Sequence, residues 1–262
     1  MIRVGIGGWT YEPWRGPFYP DKLPKIKELS HASRRVTSIE VNGTFYSTFT
    51  PSTFRRWAEE TPDDFIFSLK APRFAVNRRI LAGAGPSIEK FLASGVVELK
   101  SKLGPILWQL APSKKYDPGD IAAFLELLPK KIEGLKLRHA LEVRNESFRS
   151  ADFITQVRKA GVAIVLADSE KYPLIADLSA DFVYARLQDA KADVETGYSA
   201  KAIKSWATLA LAWEQGEESD QFPLAAPKGK PLKSRDVFIY FINGAKERAP
   251  AAAEALIRLL KK

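Results

Sequence analysis

"TSIEVNGTFY", residues 37–46, decides the fold. Thr37 to Val41 reads as a short strand of apolar and β-branched residues, the composition of a strand buried on both faces of a parallel sheet. Its tip then delivers a carboxylate, an amide and two aromatic rings: Glu40, Asn42, Phe45 and Tyr46. Side chains two apart share a face, so Glu40 and Asn42 point the same way. A buried strand that ends in polar groups at its C-terminal tip is the unit from which the mouth of an α/β barrel is made.

The same unit recurs along the chain. Strands are read at Arg3–Ile6, Thr37–Val41, Phe65–Leu69, Pro105–Leu110, Ala140–Val143, Ala163–Ala167, Phe182–Leu187 and Val237–Phe241, eight in all. Helical patterns lie between them. Thr50 and Pro51 open one with Phe54, Trp57 and Ala58 on one face. Ser87 precedes Ile88, Phe91, Leu92, Val96 and Leu99 at helical spacing, and Asp117-Pro118 opens a helix carrying Ile121, Phe124, Leu125 and Leu128. Ser150 starts a helix that stops at Gly161, Ser199 leads into Ile203, Trp206, Ala210 and Trp213, and Pro250 opens the last. Strands alternating with helices predict a closed (β/α)8 TIM barrel, one domain over residues 1–262. About a dozen residues separate the sixth and seventh strands, too few for a full crossover helix, so that helix is expected to be short or missing.

The bulk properties agree. With 262 residues and 45% hydrophobic content, the chain can fill one large core. No run of 18 apolar residues occurs, which predicts no membrane span. The start, MIRVGIGGWT, lacks the pattern of a secretory signal, and there is no cysteine; both fit a cytoplasmic protein. The net charge of +9 favours an anionic partner.

Polar residues gather at the C-terminal strand ends. Ser68 and Lys70 share a face of strand three, Glu142 and Arg144 of strand five, and Tyr184, Arg186 and Gln188 of strand seven; Gln109 ends strand four, Asp168 follows strand six and Asn243 follows strand eight. One reading is a self-neutralising network that closes the barrel top, with Glu40 against Lys70 and Glu142 against Arg144 or Arg186. The favoured reading is a ligand site, because convergent polar groups mark binding pockets. Lys70 fits a Schiff-base lysine, but Glu40 beside it makes an ion pair the better expectation. Trp9, Tyr11, Trp14, Phe45 and Tyr46 lie in the first two top loops, placed either to stack on a ring of a ligand or to seal the rim. Gly5, Gly7 and Gly8 lack the dinucleotide-binding spacing, and close backbone packing explains them better than a phosphate cradle. His31 and His139 lie away from the mouth. Glu40, Glu142 and Asp168 are the remaining metal-ligand candidates, but with Lys70, Arg144 and Arg186 among them no metal is expected, and no cofactor.

"GGWTYEPWRGPFYP", "TSIEVNGTFYSTFTPSTFRRWAEETPDDFIFSLKAPRF", "LGPILWQLAP", "ALEVRNESF", "IVLADS" and "FVYARL" resemble, in order and over nearly the whole chain, the YecE-like family, domain of unknown function 72. The resemblance implies a TIM barrel and no particular activity. The residues it carries over are Gly8, Trp9, Trp14, Glu40, Asn42, Phe45, Tyr46, Lys70, Gln109, Glu142, Arg144, Asp168 and Arg186. The sequence departs from the family pattern at Val76-Asn77, where Thr-His is usual, at Gln188-Asp189 in place of His-Gly, and at Ile242-Asn243 in place of Asn-Asn. Both top-face histidines are thus replaced.

Two functions follow as expectations. The first is an enzyme of hydrolase or lyase type acting on an anionic, phosphate- or sugar-containing substrate. Glu142, Glu40 and Lys70 would be its catalytic residues, and Trp9, Asn42, Tyr46, Gln109, Arg144, Asp168, Arg186 and Asn243 would bind the ligand. Paired carboxylates across a mouth also suit glycosidases, but the cations favour a phosphate or carboxylate ligand. The second is a nucleic-acid-binding protein without catalysis. Against it, the clusters Lys130, Lys131, Lys136, Arg138 and Lys228, Lys230, Lys233, Arg235 precede strands and so lie at the bottom of the barrel, away from the aromatic loops.

Overall fold

Eight strands form a closed barrel in which each hydrogen-bonds in parallel to the barrel strands before and after it in the chain, and the last closes on the first. The computed structural model describes residues 1–261. The barrel strands are β1 (Ile2–Gly7), β2 (Ser38–Val41), β3 (Ile66–Lys70), β4 (Leu103–Gln109), β5 (His139–Glu142), β6 (Ala163–Asp168), β7 (Phe182–Leu187) and β8 (Asp236–Phe241). They are the eight read from the sequence, and their ends differ from that reading by no more than two residues. Pro105 sits inside β4, where a residue without an N–H interrupts a ladder. The β3–β4 register shifts beside it, between Phe67 and Leu69, so the irregularity is absorbed locally.

Two apolar shells follow from period two. Leu107, Val165, Phe182, Tyr184, Phe238 and Tyr240 point into the barrel. Their strand neighbours, among them Ile39, Phe67, Trp108, Leu141, Leu166, Ala185 and Ile239, point outward against the helices. Helix Pro51–Glu60 buries Phe54 and Trp57, helix Ala151–Ala160 buries Phe153, Ile154 and Val157, and helix Ala200–Glu214 buries Trp206 and Trp213. Each such side chain contributes about 1.5–3 kcal/mol on burial. Asp117, Ser150 and Ser199 cap their helices, accepting from the N–H of Asp120, Phe153 and Ala202. Thr50 occupies the cap position, but its hydroxyl bonds only the Ser52 and Thr53 hydroxyls.

Three local features differ from the sequence expectation or refine it. The helix expected after Ser87 already starts at Gly85 and ends at Leu92. Gly95 (φ +101°) then turns the chain into a 3-10 segment, Val96–Lys102. A Cβ at Gly95 would lie 2.6 Å from Pro51 Cα, so the break lets two segments touch. Between β6 and β7 the chain has no helix, as the short connection predicts. Ahead of β5 a small hairpin, Lys131–Ile132 with Leu135–Lys136, turns through Glu133 and Gly134. No helix among the described residues is long and apolar enough to cross a membrane.

The glycines of β1 serve close packing. A Cβ on Gly5 would stand 2.0 Å from the Ser38 carbonyl oxygen, and one on Gly7 would stand 3.1 Å from Asn42 Nδ2.

Candidate functional site

The upper barrel is built in two polar layers. In the lower one, the Tyr184 hydroxyl lies 2.7 Å from Ser68 Oγ and the Tyr240 hydroxyl 2.7 Å from Ser38 Oγ, all four buried. Small residues on neighbouring strands, Gly5 among them, leave room for the two phenol rings, which pack 5.1 Å apart. Tyr184 donates upward to Glu40 Oε2 at 2.8 Å and so joins this floor to the layer above.

That upper layer is centred on Arg186. Its Nε and Nη2 donate to Glu40 Oε2 and Oε1, each at 2.9 Å, and its Nη1 donates to Glu142 Oε2 at 2.5 Å. Glu142 also accepts from Gln109 Nε2 at 2.9 Å and, through Oε1, from Arg144 Nε at 2.8 Å. Glu40 and Glu142 are fully buried and Arg186 is 1% exposed, so these charges are viable only because every carboxylate oxygen has a partner. Burial alone would push the Glu142 carboxyl up. Arg186 and Arg144 outweigh it and hold the group down at about 2. Burial likewise works against the Arg186 cation, and Glu142 and Glu40 raise it well beyond the ordinary value.

Lys70 stands apart from this network. The Glu40–Lys70 ion pair expected from the sequence is not formed, because the Arg186 fork occupies both Glu40 oxygens. Lys70 is 7% exposed, and its Nζ has no hydrogen-bond or ion-pair partner among the described residues. The Phe45 ring lies 4.2 Å from the amine. Burial and the nearby Arg186 lower its proton affinity to about 8, against the opposing pull of Glu40 and Glu142.

The structure brings Glu40, Lys70, Gln109, Glu142, Arg144 and Arg186 together and sets the other candidates around or behind them. Asn42 is half-buried at the tip of β2. Tyr46 is 69% exposed above Phe45. Trp9 packs edge-on to Trp57 at 5.1 Å, so its ring seals the rim behind β1. Trp14 is fully buried and donates to the Lys246 carbonyl, also a seal. Asn243 is exposed and reaches Gln188 at 3.5 Å. Asp168 faces away from the barrel axis. Ala163 and Val165 point inward on β6, so Asp168 points out, 3.3 Å from the Tyr198 hydroxyl. Burial and then Asp189 raise its carboxyl. His139 is likewise structural, bonded to Trp108 Nε1 and to the Pro129 carbonyl.

Two further residues belong to the ring: Gln188, read from the sequence as part of it but not proposed to bind ligand, and Tyr172, which the sequence reading did not single out. Gln188 continues the inward face of β7, and its Nε2 is buried without a partner. Tyr172, in the connection after β6, lays its ring 4.1 Å from the Arg144 guanidinium and accepts from Nη1 at 3.2 Å. Nothing in its local sequence announces that contact. Among the described residues no cluster of His, Cys, Asp and Glu is arranged to hold a metal ion.

Half of the basic residues at the barrel bottom are paired, while Lys130, Lys131, Lys230 and Lys233 are exposed and form no ion pair among the described residues. Arg138 pairs with Asp236, Lys136 with Asp181 and Lys228 with Asp220, and Arg235 is buried on the Gly216 carbonyl. A groove of about 750 Å³ beside the mouth is lined by Arg78, Arg79, Lys114 and Lys115. There Arg78 is spent on Phe74, Gly83 and Ser87, and Lys114 on Asp120 and the Arg79 carbonyl.

A closed parallel barrel with a charged, buried ring at its C-terminal mouth defines a TIM-barrel protein. The chain belongs to the family described as Protein of unknown function DUF72, whose pattern matches residues 3–262. It is 27% identical over 143 residues to the UPF0759 protein YecE of Escherichia coli K12, covering 53% of this chain and 49% of that protein. It is 26% identical over 161 residues to the UPF0759 protein YunF of Bacillus subtilis, covering 60% and 55%. The chain thus spans about half the length of the curated relatives it matches. A DUF72 family protein from Thermotoga maritima superposes with a TM-score of 0.76 at 18% identity over the full length of both chains.

Proposed function

We propose that the barrel mouth is the active site of an enzyme, of lyase or hydrolase type, acting on a small anionic substrate that carries a phosphate or carboxylate, a sugar phosphate among them. One observation supports this above the rest. Two carboxylates, Glu40 and Glu142, stand against two guanidiniums, Arg186 and Arg144, and the Lys70 amine is the cation left without a counter-ion. A purely structural network would have spent that charge. A buried, unbalanced cation is costly, and an anion entering the mouth offsets the cost.

The roles divide by freedom. Glu40 and Glu142 are fixed and fully bonded, so they serve as a preorganised electrostatic platform and not as mobile acids or bases. The acid/base part expected of them passes to Lys70. Its amine is partly neutral near neutral pH and has a free lone pair when it is. Arg144 and Gln188 offer donors to the ligand, and exposed Tyr46 offers a ring face.

The test is calorimetric titration with a panel of phosphorylated and carboxylated sugars and short oxo acids, followed by turnover assays on any ligand that binds. Lys70→Met and Arg144→Ala are expected to abolish binding or turnover. Reversing Lys228, Lys230 and Lys233 to Glu should leave both intact. Salt-sensitive oligonucleotide binding that survives the mouth changes and fails in the triple reversal would replace this reading with nucleic-acid binding.

A further inference from the structure

We infer that Lys70 is a nucleophile that forms an imine with a carbonyl group of its substrate, which makes the substrate class an aldehyde or ketone bearing an anionic group. This deepens the proposed function and rests on the mouth being its site.

The geometry singles out this amine. Two lysines are buried among the described residues, Lys70 and Lys102. Lys102 is structural, with Nζ donating to the Ala58 carbonyl at 2.5 Å and the Thr61 carbonyl at 2.8 Å. Lys70 Nζ donates to nothing. It projects from the end of β3 toward the axis, with the Phe45 ring on one side. The charged groups that act on it are Arg186, Glu40, Glu142 and Arg144, and both carboxylates are already held by the guanidiniums. A lysine desolvated beside fixed cations is the environment that activates an amine for attack on a carbonyl. Loss of its proton is helped by burial and by Arg186.

The chemistry balances without an outside oxidant or reductant. The neutral amine gives its lone pair to the carbonyl carbon, and the π pair moves to oxygen. One N–H proton passes to that oxygen, giving a carbinolamine. The remaining N–H proton passes to the hydroxyl as the C–O bond breaks, so oxygen departs as water and leaves a neutral C=N, which takes one proton from solvent to become the iminium. The iminium accepts the electron pair of a bond on the adjacent carbon, becoming an enamine as the other partner of that bond leaves without the pair, as a proton or as a carbonyl fragment. A solvent proton returns to the enamine carbon, and water then adds to the C=N and releases Lys70 and a carbonyl product. Arg144, close enough to act on the Lys70 amine and with Nη2 uncommitted among the described residues, is the donor for the anionic group meanwhile.

Glyoxylate, the smallest anionic aldehyde, is the probe, with acetaldehyde as its uncharged counterpart. Each is incubated with the full chain and cyanoborohydride, and the reduced lysines are mapped by mass spectrometry. At neutral pH an amine lowered to about 8 has about two orders of magnitude more neutral form than an ordinary lysine. Glyoxylate should therefore label Lys70 far ahead of exposed lysines and of Lys246, which is stacked on Tyr11. Inorganic phosphate should protect it, and Lys70→Arg should lose the label while keeping the melting temperature. If neither aldehyde labels Lys70 preferentially, the imine is overturned. If phosphate still raises the melting temperature through Arg144 in that case, the anion site stands alone. If acetaldehyde labels Lys70 and glyoxylate does not, the nucleophile stands and the anionic substrate falls.

Discussion

Arg186 and Glu40 meet as a fork on a fork, with Nε and Nη2 each 2.9 Å from a different carboxylate oxygen, across 146 residues of sequence and at nearly zero exposure. The same guanidinium reaches Glu142 with its remaining nitrogen. One side chain therefore bridges two buried carboxylates, with Arg144 supplying the second positive charge, and ties β2, β5 and β7 together.

Removing it strands Glu40, which keeps only the Tyr184 hydroxyl, and leaves Glu142 on Arg144 and Gln109. Arg186→Met is expected to destabilise the protein by about 3–5 kcal/mol, the range for breaking a buried ion pair. Adding Glu40→Gln should recover part of the loss, because the orphaned charge goes with it. Urea unfolding of the two variants and the parent checks this; an Arg186→Met protein as stable as the parent would show that the network carries no stability.

Lys70 should act in the opposite direction. Its folded proton affinity is lowered from 10.5 to about 8, so the native state resists holding the proton. Below pH 8 the penalty is fully present. It fades as pH rises from 8 to 10.5, where the unfolded chain binds more protons than the folded one. Lys70→Met is thus expected to raise stability near pH 7 by on the order of 1–3 kcal/mol, with the gain shrinking toward pH 10.5 and activity lost. Paired melting curves at pH 7 and pH 10 test it, and an equal gain at both would remove the charge explanation.

Glu142 sets an acid limit. Its carboxyl is lowered from 4.5 to about 2, so its stabilisation is complete above pH 4.5 and is lost as pH falls through 2. The parent should lose stability over that window more steeply than Glu142→Gln, by up to ~3 kcal/mol. Unfolding free energies at pH 5, 4 and 3 for both proteins give the difference directly, and parallel slopes would contradict it.

Gly5 is expected to tolerate no side chain. A Cβ there would sit 2.0 Å from the Ser38 carbonyl oxygen, a backbone atom that cannot step aside. Gly5→Ala should cost several kcal/mol by separating β1 from β2 or should prevent folding. Gly8→Ala meets no atom within 4 Å and carries only the strain of its φ of +73°. Comparing the soluble yield and melting temperature of the two variants distinguishes close packing from mere backbone freedom.

The choice between small ligand and nucleic acid is read from salt. If duplex DNA is the partner, affinity falls by about 0.9 log units per log unit of salt for each phosphate neutralised. With Arg138, Lys136 and Lys228 paired to carboxylates, the bottom face is left with Lys130, Lys131, Lys230 and Lys233, so a salt slope there should correspond to no more than about four phosphates.

The sequence by itself determined the strand count, the alternation with helices and the missing helix before β7, because period two and period 3.6 are local properties of neighbouring residues. It also determined that Glu40, Ser68, Lys70, Glu142, Tyr184 and Arg186 would gather at one mouth, since alternation and chain direction fix face and end together. It did not determine which face of β6 is inward. That strand is apolar on both sides, so its phase is set by its neighbours, and Asp168 turned out to face Tyr198. Nor did it determine the pairings. Lys70 and Glu40 lie on adjacent strands, yet Arg186 from across the barrel takes both Glu40 oxygens. Strand tilt and closure decide which long side chains meet, and a planar fork with fixed donors fits a carboxylate better than an ammonium does. Only closure of the barrel, therefore, left Lys70 as the uncommitted amine at its mouth.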